Sequence, residues 1–165
     1  MNHKISKNLR RYNYLFGETG LVYHEMYLKL GLSDSAAGIL YALLENGDCC
    51  LLRDVCLFTG LNKQTINSAL RKLEADNIVY LEMADGKKKL VRLTEKGKLL
   101  AERTAGRILA AEDEIFASWP QENVQKYLEL TEAFMLALKE KMEGMEISDE
   151  SAAIVRGERG VPWTK

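Results

Sequence analysis

The apolar spacing of this chain changes period, from about 3.6 residues to 2, directly after two helical segments joined by a tight turn. From Asn62, a good N-cap, to about Asp76, the residues Ile66, Ala69, Leu70 and Leu73 recur on one helix face. A shorter helix over about Leu52–Thr59 precedes it, closed by Gly60 and linked through Thr59-Gly60-Leu61. Before both, Ser33 caps a helix with Leu32 as its staple residue. Ala37, Leu40, Leu43 and Leu44 form its buried face, and Gly47 ends it. Together the three segments make a helix-turn-helix pattern. Residues 78–84 and 88–94 then alternate as strands around Asp85-Gly86, a type I′ hairpin signal. With those two as the loop, Ala84 pairs with Lys87, Leu81 with Leu90, and Glu82 faces Lys89. A hairpin in that place is a wing.

Long helices flank this centre. Ile5, Leu9, Tyr12, Phe16, Tyr23, Met26 and Leu30 give one apolar stripe over residues 5–30, weakened at Gly17 and Gly20, where a bend or a close helix contact fits. Thr94 caps a further helix over residues 95–118, broken by Trp119-Pro120. The last runs to about Glu143, with Val124, Leu128, Thr131, Met135, Leu138 and Met142 at the spacing of a helix-packing seam. The expected fold is mainly α with a small β wing: a winged helix-turn-helix between long N- and C-terminal dimerisation helices. Its parts are an N-terminal dimerisation helix (1–31), the winged domain (32–94), C-terminal dimerisation helices (95–144) and a polar tail (145–165). In that tail Val161, Pro162 and Trp163 are the candidates for docking.

Charge is divided along the chain. Residues 62–98 hold nine Lys/Arg and five Asp/Glu, whereas residues 111–150 hold three and eleven, within a formal net charge of −1. A basic centre beside an acidic C-terminal third suits a protein that turns one face to a polyanion; two solvated faces of unequal charge are the alternative. No apolar run reaches the roughly 20 residues that cross a bilayer, and no signal-peptide core follows the basic residues 1–11, so a cytoplasmic location is expected. Cys49, Cys50 and Cys56, an odd number, argue against a disulfide framework. With no CxxC pair and only His3 and His24, no metal site or cofactor is expected. The chain has no phosphate-cradling glycine loop, GxSxG or HExxH, and an enzyme is not expected.

The helix over 62–76 is the recognition candidate. With its apolar face inward, Lys63, Gln64, Thr65, Asn67, Ser68, Arg71 and Lys72 point outward. Gln64 and Asn67 can pair with adenine edges, while Thr65 and the cations hold phosphates. An ordinary solvated helix face is the alternative. Lys87, Lys88 and Lys89, on the hairpin, are the candidate backbone contacts of the wing; lysines that keep an edge strand soluble are the alternative. Cys56 reads as a buried, inert thiol, and Cys49-Cys50 fall in a loop before the third helix. His24 reads as a packing residue, with no acidic partner near it in sequence.

In the order of these elements the chain resembles the MarR (multiple antibiotic resistance regulator) family over about residues 8–143. The carrying segments are residues 30–47 (LGLSDSAAGILYALLENG), residues 59–79 (TGLNKQTINSALRKLEADNIV) and residues 93–97 (LTEKG). The resemblance implies a homodimeric regulator whose first and last helices intertwine, bound to double-stranded DNA. It also implies a small aromatic effector in a cavity between the dimer helices and the winged domain, with Tyr12, Phe16 and Tyr23 as candidate lining. Peroxide-sensing members usually carry their cysteine in the first helix, where this chain has none. Two positions depart from the pattern. The wing's usual Asp-x-Arg is Asp85-Gly86-Lys87 here, without arginine's planar fork, and Asn77 stands where a glycine is usual after the recognition helix. The expected function is sequence-specific regulation of transcription on a pseudo-palindromic operator; the alternative is a winged-helix protein–protein assembly module. Operator, effector and the sign of regulation are not legible.

Overall fold

The computed structural model describes residues 5–84 and 88–145. The helices are α1 (Lys7–Lys29), α2 (Asp34–Glu45), α3 (Leu52–Thr59), α4 (Lys63–Ala75), α5 (Glu95–Arg103), α6 (Ala105–Ser118) and α7 (Gln121–Glu143). The strands are β1 (Cys49–Leu51), β2 (Val79–Met83) and β3 (Lys89–Leu93), in one antiparallel sheet of order β1-β3-β2. The chain divides into two compact units, residues 1–114 and 115–165.

The first unit is the winged helix with α1, α5 and the start of α6. Its core is built by α2, whose Ala37, Ile39, Leu40, Ala42 and Leu43 are all buried. Against it pack Val55 of α3, Ile66 and Leu70 of α4, Val79 and Val91 of the sheet, and Ala101 and Ala105 beyond it. The inward set of α4 is the one its spacing predicts: Ile66, Ala69, Leu70 and Leu73. Caps fix the helix starts. Ser33 accepts from the Ala36 amide at 3.3 Å, and Asn62 from the Thr65 amide at 2.9 Å. Gly60, at φ +65°, closes α3 in the left-handed region, and Asn77, at φ +56°, makes the turn after α4 as asparagine can.

The entry to α5 is tighter still. Thr94 accepts from the Gly97 amide at 2.9 Å and donates its hydroxyl to the Asn77 carbonyl at 2.7 Å. Gly97 lies so close under the turn after α4 that a Cβ there would stand 1.9 Å from the Ile78 carbonyl oxygen. The LTEKG glycine is thus a packing requirement, since its backbone is pressed against another.

The structure corrects several sequence expectations. The hairpin register is offset by one: Leu81 pairs with Val91, Glu82 with Leu90 and Met83 with Lys89, and the Ala84 amide donates to the Lys88 carbonyl at 2.8 Å. A one-residue slip exchanges faces, and the observed register sets Val79 and Leu81 opposite Leu93 and Val91 on one side. Glu82 meets Arg92 at 2.5 Å instead of Lys89. The Asp85-Gly86 turn and Lys87 lie outside the described residues, as do residues 1–4 and the tail from 146 on.

The helix expected over 95–118 is two. At Thr104 (φ −121°, ψ −85°) the chain leaves helical geometry, and the buried hydroxyl donates back to the Leu100 carbonyl at 2.6 Å. Cys49 and Cys50 form strand β1 rather than a loop, opposite Arg92 and Val91. Cys50 is the buried cysteine, and burial pushes its thiol up from the ordinary value; Cys56 is only half-buried. Gly17 and Gly20 sit within an unbroken α1, and a Cβ at either would meet nothing within 4 Å.

In the second unit, α7 begins after Pro120, and Phe116, Trp119 and Tyr127 form a ring cluster with centroids 5.6–6.2 Å apart. Neither α1 nor α7 buries a single residue. Phe16 is 70% exposed, Val22 65% and Leu130 58%, so these helices carry apolar faces that this chain alone does not cover.

Candidate nucleic-acid interface

A helix places residues three and four apart on one face, and α4 does so with its polar set. Lys63, Asn67 and Arg71 form one row, with Gln64, Ser68 and Lys72 beside it. All are exposed except Asn67, which is half-buried. Thr65 is half-buried as well. Its hydroxyl donates to the Asn62 side chain at 3.2 Å, so its first task is to hold the start of α4, and its oxygen keeps acceptor capacity only.

The first turn of α4 borders a groove of about 690 Å³ between α3 and the wing. Leu52, Cys56, Leu57 and Leu61 line it, and Arg53, Lys63, Lys88 and Lys89 bring four cations to it from three separate elements. Arg53 spends part of its charge on Asp54, at 3.0 Å. Lys63, Arg71, Lys72, Lys88 and Lys89 make no ion pair among the described residues, so each is available to an external anion. Basic residues at the start of one helix and along a wing strand are thereby drawn to one concave track. The sequence reading missed Arg53. Its signal was its place in the first turn of the helix before the recognition candidate, a helix that crosses the backbone in helix-turn-helix proteins.

Residues 30–90, which hold this groove, match the model described as MarR family. Over these residues the winged helix is similar to that of the MarR family. MarR family proteins are transcription regulators, and the chain has their fold. A MarR family regulator from Neisseria meningitidis superposes with a TM-score of 0.74 at 17% identity, covering 84% of this chain and 98% of that one. AbsC, a MarR family regulator from Streptomyces coelicolor, gives 0.66 at 17% identity over 84% of this chain and 99% of its own. BpsR of Bordetella bronchiseptica, whose DNA binding is regulated by 6-hydroxynicotinic acid, gives 0.57 at 18% identity over 76% and 98%. At these identities the likeness is one of fold. No curated protein sequence matches the chain.

A second cavity of the first unit, about 410 Å³, lies between α1, α2, the end of α3 and α6. Of the three expected lining residues only Tyr23 borders it; Tyr12 and Phe16 stack on each other at 5.9 Å elsewhere on α1. Tyr27, Tyr41, Phe58 and Glu112 take part instead, and Tyr41 stacks on Phe58 at 5.4 Å. The Tyr23 and Tyr41 hydroxyls donate to the two oxygens of Glu112. Burial first, then the bond to Glu112 and its charge, drive the Tyr41 phenol far above its ordinary range. His24 is not isolated as its sequence neighbourhood suggested, because its Nδ1 lies 2.8 Å from Asp34 Oδ1 at the start of α2. Among the described residues no cluster of ligating side chains could hold a metal, and no helix is long and apolar enough to cross a membrane.

Proposed function

We propose that the chain is a sequence-specific DNA-binding regulator of transcription, acting as a homodimer on a pseudo-palindromic operator and released by a small aromatic ligand. The basic groove carries this reading: Arg53, Lys63, Lys88 and Lys89 share one track beside a polar recognition face. α4 enters the major groove, where Gln64 and Asn67 read base edges and Ser68 adds a further polar contact. Arg71 and Lys72 follow the backbone, while Lys88 and Lys89, with Lys87 on the same wing, hold phosphates. The regulated DNA binding of BpsR supports ligand control in the same fold.

The test is selection of bound duplexes from a randomised pool, followed by titration of the winner at several salt concentrations. A palindromic consensus and a steep fall in affinity with salt are expected. Binding without consensus or salt dependence would return the chain to the class of protein–protein assembly modules. Within that experiment, Gln64→Ala and Asn67→Ala each flatten the preference at one position, by about 1–3 kcal/mol for a lost bidentate contact. If neither alters the consensus, α4 does not read bases through its amides.

The homodimer rests on α1 and α7. Leu128, Met135, Leu138 and Met142 are each at least 40% exposed along one face of α7, and burying such a face yields roughly 25 cal/mol per Å² before the cost of association. Leu138→Asp places a charge in that seam and shifts sedimentation from a dimer toward a monomer at micromolar concentration. A native chain that already sediments as a monomer would remove this part of the reading.

A further inference from the structure

The chemistry of the aromatic cavity is set by where its hydrogens point. Tyr23 and Tyr41 both donate to Glu112, so each phenol oxygen turns only lone pairs to the cavity. Thr59 donates its hydroxyl to the Val55 carbonyl at 2.9 Å and accepts from the Leu61 amide at 3.3 Å, so it offers no hydrogen either. Asp34, which His24 meets at 2.8 Å, and Glu112 supply two carboxylates, and among the described residues no lysine or arginine lines the cavity. Tyr27 registers the field: burial first, then the charges of Glu112 and Asp34, push its phenol up. The walls are the rings of Tyr23, Tyr27, Tyr41 and Phe58, whose faces attract cations.

We infer that this cavity binds an aromatic amine in its protonated form, the ring against the stacked Tyr41–Phe58 pair and Tyr27 and the ammonium directed to Glu112 and Asp34. An aromatic carboxylate entering the same space meets two carboxylates, no lining lysine or arginine among the described residues, and a single undonated hydroxyl, that of Tyr27. This names the ligand class for the control proposed above, and rests on that reading for any effect on DNA.

The experiment uses two phenols of nearly equal size and opposite charge, tyramine and 4-hydroxyphenylacetate, titrated calorimetrically into the full chain without DNA. Tyramine is expected to bind at least about tenfold more tightly, because one charge changes sign beside two carboxylates. Glu112→Gln lowers that ratio, and Asp34→Asn, at an exposed site that leaves the half-buried tyrosine contacts to Glu112 in place, lowers it independently. Equal or tighter binding of the acid overturns the inference, as does absence of tyramine binding up to 10 mM, about the weakest affinity calorimetry reads. Repeating DNA binding with each compound separates the two ideas. Tyramine that binds and leaves DNA affinity unchanged refutes ligand control while the cavity assignment stands. An acid that binds at least as tightly as tyramine and releases DNA does the reverse.

Discussion

Gly97→Ala is expected to cost the winged helix about 3 kcal/mol, at the upper end of ordinary overpacking. In an exposed helix the same exchange would gain roughly 1 kcal/mol, since alanine forms helix more readily than glycine. Here the added methyl would stand 1.9 Å from the Ile78 carbonyl oxygen and 3.0 Å from its carbon. Neither is a flexible side chain that turns aside. That oxygen also accepts from the Thr94 amide at 3.0 Å, while the Thr94 hydroxyl caps α5 and ties it to Asn77. Moving α5 outward to admit the methyl therefore strains a cap and a turn together. A chain of this length loses about 2–4 °C of Tm per kcal/mol, so a fall of roughly 10 °C is the readout in thermal denaturation. An alanine variant that melts with the native chain would show that α5 yields without cost.

How far the sequence revealed this fold depended on whether period or distance carried the information. The buried set of α4 and the capping roles of Ser33, Asn62 and Thr94 were legible, because each is a local pattern of a few residues. Strand β1 was not, since three residues have no measurable period and its pairing to β3 spans about forty positions. The hairpin register went wrong where two local signals competed. Asp85-Gly86 argued for a two-residue turn, while the apolar faces of β2 and β3 required the offset that sets Leu81 opposite Val91, and burial won. The break at Thr104 was hidden because the helical pattern continues through it, interrupted only by a threonine bonding to its own helix.

The candidate sites divide in the same way. Lys63, Gln64, Asn67 and Arg71 could be read from the face opposite the core. Arg53 could be placed beside Lys88 and Lys89 only by the fold, which closes α3 against the wing. The aromatic cavity was less accessible still. Tyr41 and Glu112 are 71 positions apart, and nothing in the neighbourhood of either announces that a carboxylate binds two phenols. The aromatic content of α1 singled out Tyr12, Phe16 and Tyr23, which share a helix, but of these only Tyr23 borders this cavity.

The groove itself leads to the largest functional effect. Arg53→Ala, Lys63→Ala and Lys89→Ala combined should lower affinity for the selected duplex about 10³-fold or more at 0.1 M salt, while its sequence preference persists. Each phosphate contact contributes roughly 0.9 to the slope of log K against log salt, so the proposed two-fold dimer, losing six contacts, becomes shallower by about 5. The three side chains come from α3, α4 and β3, all are exposed, and Lys63 and Lys89 make no ion pair among the described residues, so their removal leaves the core untouched. Gln64 and Asn67, the proposed base readers, remain, which is why the consensus should survive when the affinity does not. Measuring the binding isotherm of native and triple variant between 50 and 400 mM salt supplies both slopes. A triple variant that keeps the native slope would mean that the phosphate track runs elsewhere on α4, past Arg71 and Lys72. A variant that loses the consensus but keeps its affinity would exchange the roles assigned to the cations and the amides.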